Sequence, residues 1–159
     1  MAGEFRAQGR SIVTLTTAGA ALSNNSAAVA NATADLDARN TGNAGEDFQC
    51  VFELTCQWAT VAGILKDIVV AELYLVPLLD GTNLPDIDLT AGASVLPQAT
   101  YVGPFVATKA PTVNVDARFP SPVVSLMPLL YRPYIQDRSG QAISANWTLK
   151  VVSAHGQYT

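Results

Sequence analysis

The chain has 159 residues, enough for one domain that buries most of its apolar surface without disulfide or metal staples. Charged residues make up 14% and hydrophobic ones 49%, with a formal net charge of −4 and nine scattered Lys and Arg, which excludes the basic footprint of a nucleic-acid binder. The apolar runs are broken by Lys66, Asp67, Glu72 and Pro77, so no membrane span is expected, and Met1 to Arg10 lacks a secretory-signal pattern.

Met1 to Arg10 reads as a flexible arm or a terminal strand extension, ahead of a single domain over residues 11–159. Ser11 to Thr17 (SIVTLTT) is rich in β-branched residues and predicts a first strand. Ala18 to Ser26, with Gly19 and Asn24-Asn25, predicts a loop. From Ala28 to Ala38 every even position is Ala or Leu, a parity that favours a strand. A helix competes there, because alanine is the best helix former. Asn40 to Gly45 is turn chemistry.

Asp47 to Trp58 alternates almost without error. Phe48, Cys50, Phe52, Leu54, Cys56 and Trp58 share one parity, and Val51 is the only apolar residue on the other. Successive side chains of a strand point to opposite faces, so this is a long strand with one dry and one wet face. Ala59 to Asp67 is a connection. Ile68 to Val76 (IVVAELYLV) is apolar on nearly both faces and predicts a central strand. Leu78 to Pro97 is a surface excursion carrying Asp80, Asn83, Pro85, Asp86 and Asp88.

Thr100 to Thr108 and Thr112 to Phe119 predict two more strands, the second with Val113, Val115 and Ala117 on one face. Pro120, Pro122 and Pro128 place the next stretch at a sheet edge or crossover. Leu129 to Gln136 predicts a strand despite Pro133. Asp137 to Gly140 predicts a hairpin turn, and Ile143 to Val152 returns with Trp147, Leu149 and Val151 on one face. Seven or eight short strands with regular turn signals indicate an all-β fold, an antiparallel β-sandwich.

No catalytic, cofactor-binding or metal-ligating residue emerges from motif or spacing. His155 is the only histidine and falls in the C-terminal tail. Cys50 and Cys56 point the same way, about 20 Å apart along one strand, too far for a disulfide. They are expected to be buried free thiols, suited to a reducing compartment. Asp80, Asn83, Asp86 and Asp88 could offer oxygens to a cation, but their spacing fits no established calcium loop. Glu46, Asp47 and Glu53 make a weak case for paired glycosidase carboxylates, since a solvated strand face explains them more simply. Tyr74, Tyr101, Tyr131 and Tyr134 suit a sugar-binding platform, or a core or subunit interface. The sequons at Asn24, Asn31 and Asn146 arise readily by chance in an Asn- and Thr-rich chain.

Val70 to Asn83 (VAELYLVPLLDGTN), Tyr101-Val102-Gly103 and Asp137 to Leu149 (DRSGQAISANWTL) together resemble small virion proteins of tailed bacteriophages. In that group a strand of this type ends in a D-G-T-N turn, a second strand follows a Pro- and Asp-containing loop, and a Gly-containing hairpin near the C-terminus closes the domain. The resemblance covers roughly Val70 to Val152, and the stretch Phe119 to Pro133 is longer and more apolar here than in the group. It implies a jelly-roll-like sandwich that decorates or cements the capsid exterior in the virion. It also implies a homotrimer, the major capsid protein as partner, no cofactor, no nucleic acid and no membrane. The low charge fraction also hints at assembly. The other expectations are a tail or head–tail component of the same virion and, from a different class, a carbohydrate-binding module.

Overall fold

The computed structural model describes residues 5–9, 12–23, 27–29, 35–38, 47–64, 66–80 and 99–158, and within them the side chains except at 5–9, 27–29, 47–48 and 155–158. These residues form β1 (Phe5–Gly9), β2 (Val13–Gly19), β3 (Ala27–Val29), β4 (Leu36–Asp37), β5 (Asp47–Cys56) and β6 (Ile68–Pro77). They continue with β7 (Thr100–Ala107), β8 (Ala117–Pro120), β9 (Val124–Ser125), β10 (Leu130–Asp137) and β11 (Trp147–Tyr158). No helix occurs among the described residues, and every ladder is antiparallel.

The strands make two sheets. In one, β1 and β2 both pair with one side of β11, β5 pairs with the other side, and β8 and β9 both pair with β5 beyond it. In the other, β3 and β4 share one side of β10, followed by β6 and then β7. Each doubled partner occupies one place in its sheet, so the eleven strands of the described residues fill eight places. Numbered along the chain, the places run 1, 8, 3, 6 in the first sheet and 2, 7, 4, 5 in the second. That is the jelly-roll order, two Greek keys folded face to face.

The β5 alternation holds wherever its side chains are described. Cys50, Phe52, Leu54, Cys56 and Trp58 are buried, while Val51, Glu53, Thr55 and Gln57 are half-buried. The inward set meets Leu73, Leu75, Phe105 and Ile135 of the opposite sheet, and Trp147, Leu149 and Val151 of β11 complete the core. This is the interleaving of two inner faces that an aligned sandwich requires. Trp147 stands opposite Gly19 and donates its indole N–H to the Ala20 carbonyl at 2.7 Å. A Cβ at Gly19 would overlap the indole ring, so glycine is what lets the tryptophan lie flat on the β2 backbone.

Several expectations are corrected. Within the expected N-terminal arm, Phe5–Gly9 pairs with Ala154–Tyr158, the strand-extension alternative. His155 accordingly lies within β11 and not in a tail, its side chain outside the described set. Gly19 ends β2, and Leu22 bridges to Ile143, so the expected loop from Ala18 is partly paired. Asp137–Gly140 does turn, with the Ser139 N–H donating to Asp137 Oδ1 at 2.8 Å and Gly140 at φ +76°. It joins β10 to β11 across the two sheets, however, and is not a hairpin between neighbours.

The strand expected over Thr112 to Phe119 shrinks to its last residues. Asn114 takes a left-handed φ of 54° and its N–H donates to the Trp58 carbonyl, which folds residues 113–115 into a turn and leaves Val113 and Val115 exposed. An asparagine tolerates that conformation and a β-branched run does not reveal it. The strand reading of Ala28 to Ala38 is met at both ends by β3 and β4. Leu36 and Ala38 are buried, while Asp35 and Asp37 are half-buried, as the parity predicts. The turn at Asn40 to Gly45 and the excursion beyond Asp80 lie outside the described residues.

Candidate functional site

The two outward sheet faces differ in what they expose. On the β10–β6–β7 sheet, Tyr74, Val76 and Tyr134 lie off the inner core set yet are buried. Tyr74 packs edge-on against Tyr134 with ring centroids 6.4 Å apart, and meets Tyr101 at 5.2 Å. Its hydroxyl donates to Glu72 Oε2 at 3.0 Å, and Arg138 Nε donates to the same oxygen at 2.7 Å. Burial and then the Glu72 carboxylate push the Tyr74 hydroxyl above its ordinary value. Nearby, Arg132 holds Asp35 in a two-pronged pair at 2.8 and 2.9 Å, tying the segment before β4 to β10.

The outward face of the β11–β5 sheet is open and carries an apolar row. Val152 stands directly opposite Val51. Ile12 precedes the Val13↔Val151 rung by one residue and so borders Val152; Val123 precedes the Cys50↔Val124 rung by one and borders Val51. The row Ile12–Val152–Val51–Val123 therefore crosses all four places of the sheet, with 66% of Ile12 and 62% of Val123 exposed. Beside it Glu53 stands opposite Lys150, and Pro120 stands opposite Glu53 on the far side. Together with Arg118 these residues line a shallow depression of about 300 Å³. An aliphatic row on a sheet face otherwise bordered by Thr, Gln, Glu and Lys is what an interaction surface looks like, whereas lone exposed valines mean little.

A second depression, about 420 Å³, lies against the β7–β8 connection and is lined by Thr108, Lys109, Asp116 and Arg118 beside Val115. Its charged groups are exposed and of both signs, which defines no ligand chemistry.

Of the described residues weighed from sequence, the rings of Tyr74, Tyr101 and Tyr134 come together and the rest do not. Cys50 and Cys56 are buried free thiols, as expected, and burial above all, then Asp137 and Asp116, push the Cys56 thiol far above its ordinary value. Such a thiol is no nucleophile. Tyr74, Tyr131 and Tyr134 are buried, and only Tyr101, half exposed, could serve as a platform. Glu53 faces outward, Glu46 lies outside the described residues, and so does the Asp47 side chain. Asp80 is exposed, but Asn83, Asp86 and Asp88 lie outside the described residues. Among those described, no group of three His, Cys, Asp or Glu could hold a metal, and no helix could cross a membrane. Asn146 has φ 70° and donates its N–H to the Gly19 carbonyl, while Asn24 and Asn31 fall outside.

Sequence reasoning missed the apolar row, because its members come from four separate strand places. One signal was visible: Val51 is the single apolar residue on the wet parity of β5, and it sits in the middle of the row.

No protein-family profile matches the chain, and no curated protein matches it. Among solved structures it is similar to the VP2 subviral particle of infectious bursal disease virus, with TM-score 0.39 and 12% identity. That match covers 99% of this chain and 34% of the viral chain, so this chain spans about a third of the viral protein. It is also similar to dimeric latent PorU from Porphyromonas gingivalis (TM-score 0.35, 9% identity, 98% of this chain and 13% of that one). A third similarity is to the C-terminal CBM6 of LamC, a marine laminarinase from Zobellia galactanivorans (TM-score 0.34, 11% identity, 93% and 98%). The assignment of an antiparallel β-sandwich stands on the strand pairing itself.

Proposed function

We propose that this chain is a non-enzymatic structural protein of a bacteriophage particle, seated on the outer surface of the capsid as a decoration or cement protein, with the major capsid protein as its partner. The observation that carries this reading is the open sheet face of a jelly roll crossed by the row Ile12–Val152–Val51–Val123. A rigid sandwich that keeps one broad aliphatic face free is built to be covered by protein, whether the shell itself or a neighbouring copy held on it, and shell proteins use this architecture repeatedly. The sequence resemblance over Val70 to Val152 and the 14% charge content support the same reading.

Purified protein added to phage particles that lack it tests the proposal directly. Stoichiometric binding with added density on the head, together with greater resistance of the head to heat, is the expected result. Density confined to the tail would move the chain to the tail or head–tail reading, and absence of binding would sink both.

A carbohydrate-binding reading has one specific support. Tyr101 exposes half its surface beside the Glu72–Arg138 pair, an aromatic plane next to hydrogen-bonding groups. Calorimetry with soluble β-glucans, run on the native protein and on Tyr101→Ala, would reveal heat lost in the variant if sugar binds there.

A further inference from the structure

We propose that the open face of the β11–β5 sheet is where a second copy of this chain docks, through a twofold axis that runs between β5 and β11 parallel to both. The face is complementary to itself. Rotation about that axis lays β5 of one copy over β11 of the other at the same height along the strands. Val51 then faces the second copy's Val152, and Glu53 faces the second copy's Lys150, because each pair shares a rung of the β5–β11 ladder. Both contacts occur twice, as in any isologous interface. The outer members follow the same rule, with Ile12 falling over the second copy's Val123. Arg118 meets the β2 side of the second copy, and β2 (VTLTTAG) carries no charge for it to oppose.

Charge favours a second copy as the occupant. The apolar row is flanked at one height by one acid and one base, so a second copy presents the matching base and acid without any foreign partner. The other sheet cannot offer such a face, since Tyr74, Val76 and Tyr134 are already buried there. Size sets the strength. The ladder from Thr148 to His155 and four strand places give about 500 Å² per copy, or about 1,000 Å² for the pair, at the lower limit of a specific interface. The dimer is therefore weak in dilute solution and is reinforced wherever copies are held close together. A contact of this kind is twofold and differs from the threefold implied by the resemblance.

Sedimentation velocity of the full chain, from micromolar to millimolar protein, tests the proposal without any virus particle, so its failure leaves the particle-binding test untouched. The native protein should show a reversible monomer–dimer equilibrium. Glu53→Lys and Lys150→Glu should each weaken it at least about tenfold, since each places two like-charge contacts in the interface. The double variant should recover native association to within about threefold, as a reciprocal pair must. Thermal melting of each variant at low concentration confirms folding. Should either fail it, Val152→Asn provides an independent readout and should weaken the dimer at least about fivefold. A monomer at all concentrations, a trimer indifferent to these changes, or single effects that the double variant does not repair would each overturn the proposal.

Discussion

β5 and β6 are each ten residues long, each sits in the interior of its own sheet, and each sends one set of side chains into the shared core. They differ on the other side. The outward residues of β5 whose side chains are described are Gln49, Val51, Glu53 and Thr55, none of them buried, whereas those of β6 include buried Tyr74 and Val76. A sandwich needs only one dry face per sheet, so the dryness of the second β6 face is additional structure, and the wetness of the β5 face is available surface. The same two strands thus separate what holds the fold from what it can present to a partner.

The comparison is broken most severely if inner and outer positions respond alike. Phe52→Ala removes a fully buried ring from the centre of the inner face and should cost about 3–5 kcal/mol in chemical denaturation. Tyr134→Ala, on the outward side of the other sheet, should cost about 3 kcal/mol, because that ring is as buried as a core residue and packs on Tyr74. If Tyr134→Ala behaves as a surface change, below about 0.5 kcal/mol, the outward face of β6 is not dry in solution and the distinction fails.

Much of this difference was legible in the sequence. DFQCVFELTCQW alternates, and alternation means one wet face; IVVAELYLV is apolar at both parities, and that means two dry ones. What was not legible depends on long-range pairing. Asp137–Gly140 has the composition of a hairpin turn, yet the chain leaves it for the other sheet, a choice made by the Greek-key topology and not by the turn residues. Val113 and Val115 alternate like strand residues, but the Asn114 N–H donates to the Trp58 carbonyl and the Val115 N–H to the Thr112 carbonyl, and the two bonds hold a left-handed turn. The apolar row needed the register of β2, β11, β5 and β9 together, which no local pattern contains.

A medium effect is expected at Cys56, which reports the dryness of the inner face through pH. Both folded and unfolded chains carry the neutral thiol below its ordinary value of 9.0. As the pH rises through that value the unfolded thiol ionises, while burial keeps the folded one protonated. The unfolded state then binds fewer protons, so stability falls with rising pH, by at most about 1.4 kcal/mol per pH unit from this group. Denaturation curves of the native protein and Cys56→Ala between mildly alkaline and strongly alkaline pH should differ by that slope. Equal slopes would mean that water reaches the thiol.

The Asp35–Arg132 pair sharpens the comparison on the side of the drier sheet. Its geometry is two-pronged, but both side chains keep roughly a quarter of their surface exposed, so solvent screens the attraction. A double-mutant cycle with Asp35→Asn and Arg132→Gln should give a coupling of about 0.5–1 kcal/mol, weakening in high salt.

The smallest effect belongs to the open face. Glu53→Ala and Val152→Ala should each change the stability of the dilute protein by less than about 0.5 kcal/mol, since neither side chain is buried in the single chain. Their silence in that measurement is what gives the comparison its functional content. A side chain that costs nothing to the fold but matters to association belongs to the surface that is covered in the assembled state. A side chain that matters equally to both cannot be assigned to either. If Val152→Ala destabilises the dilute chain by as much as Tyr134→Ala, the row crossing the β11–β5 sheet supports the fold itself, and the open face is not a free surface.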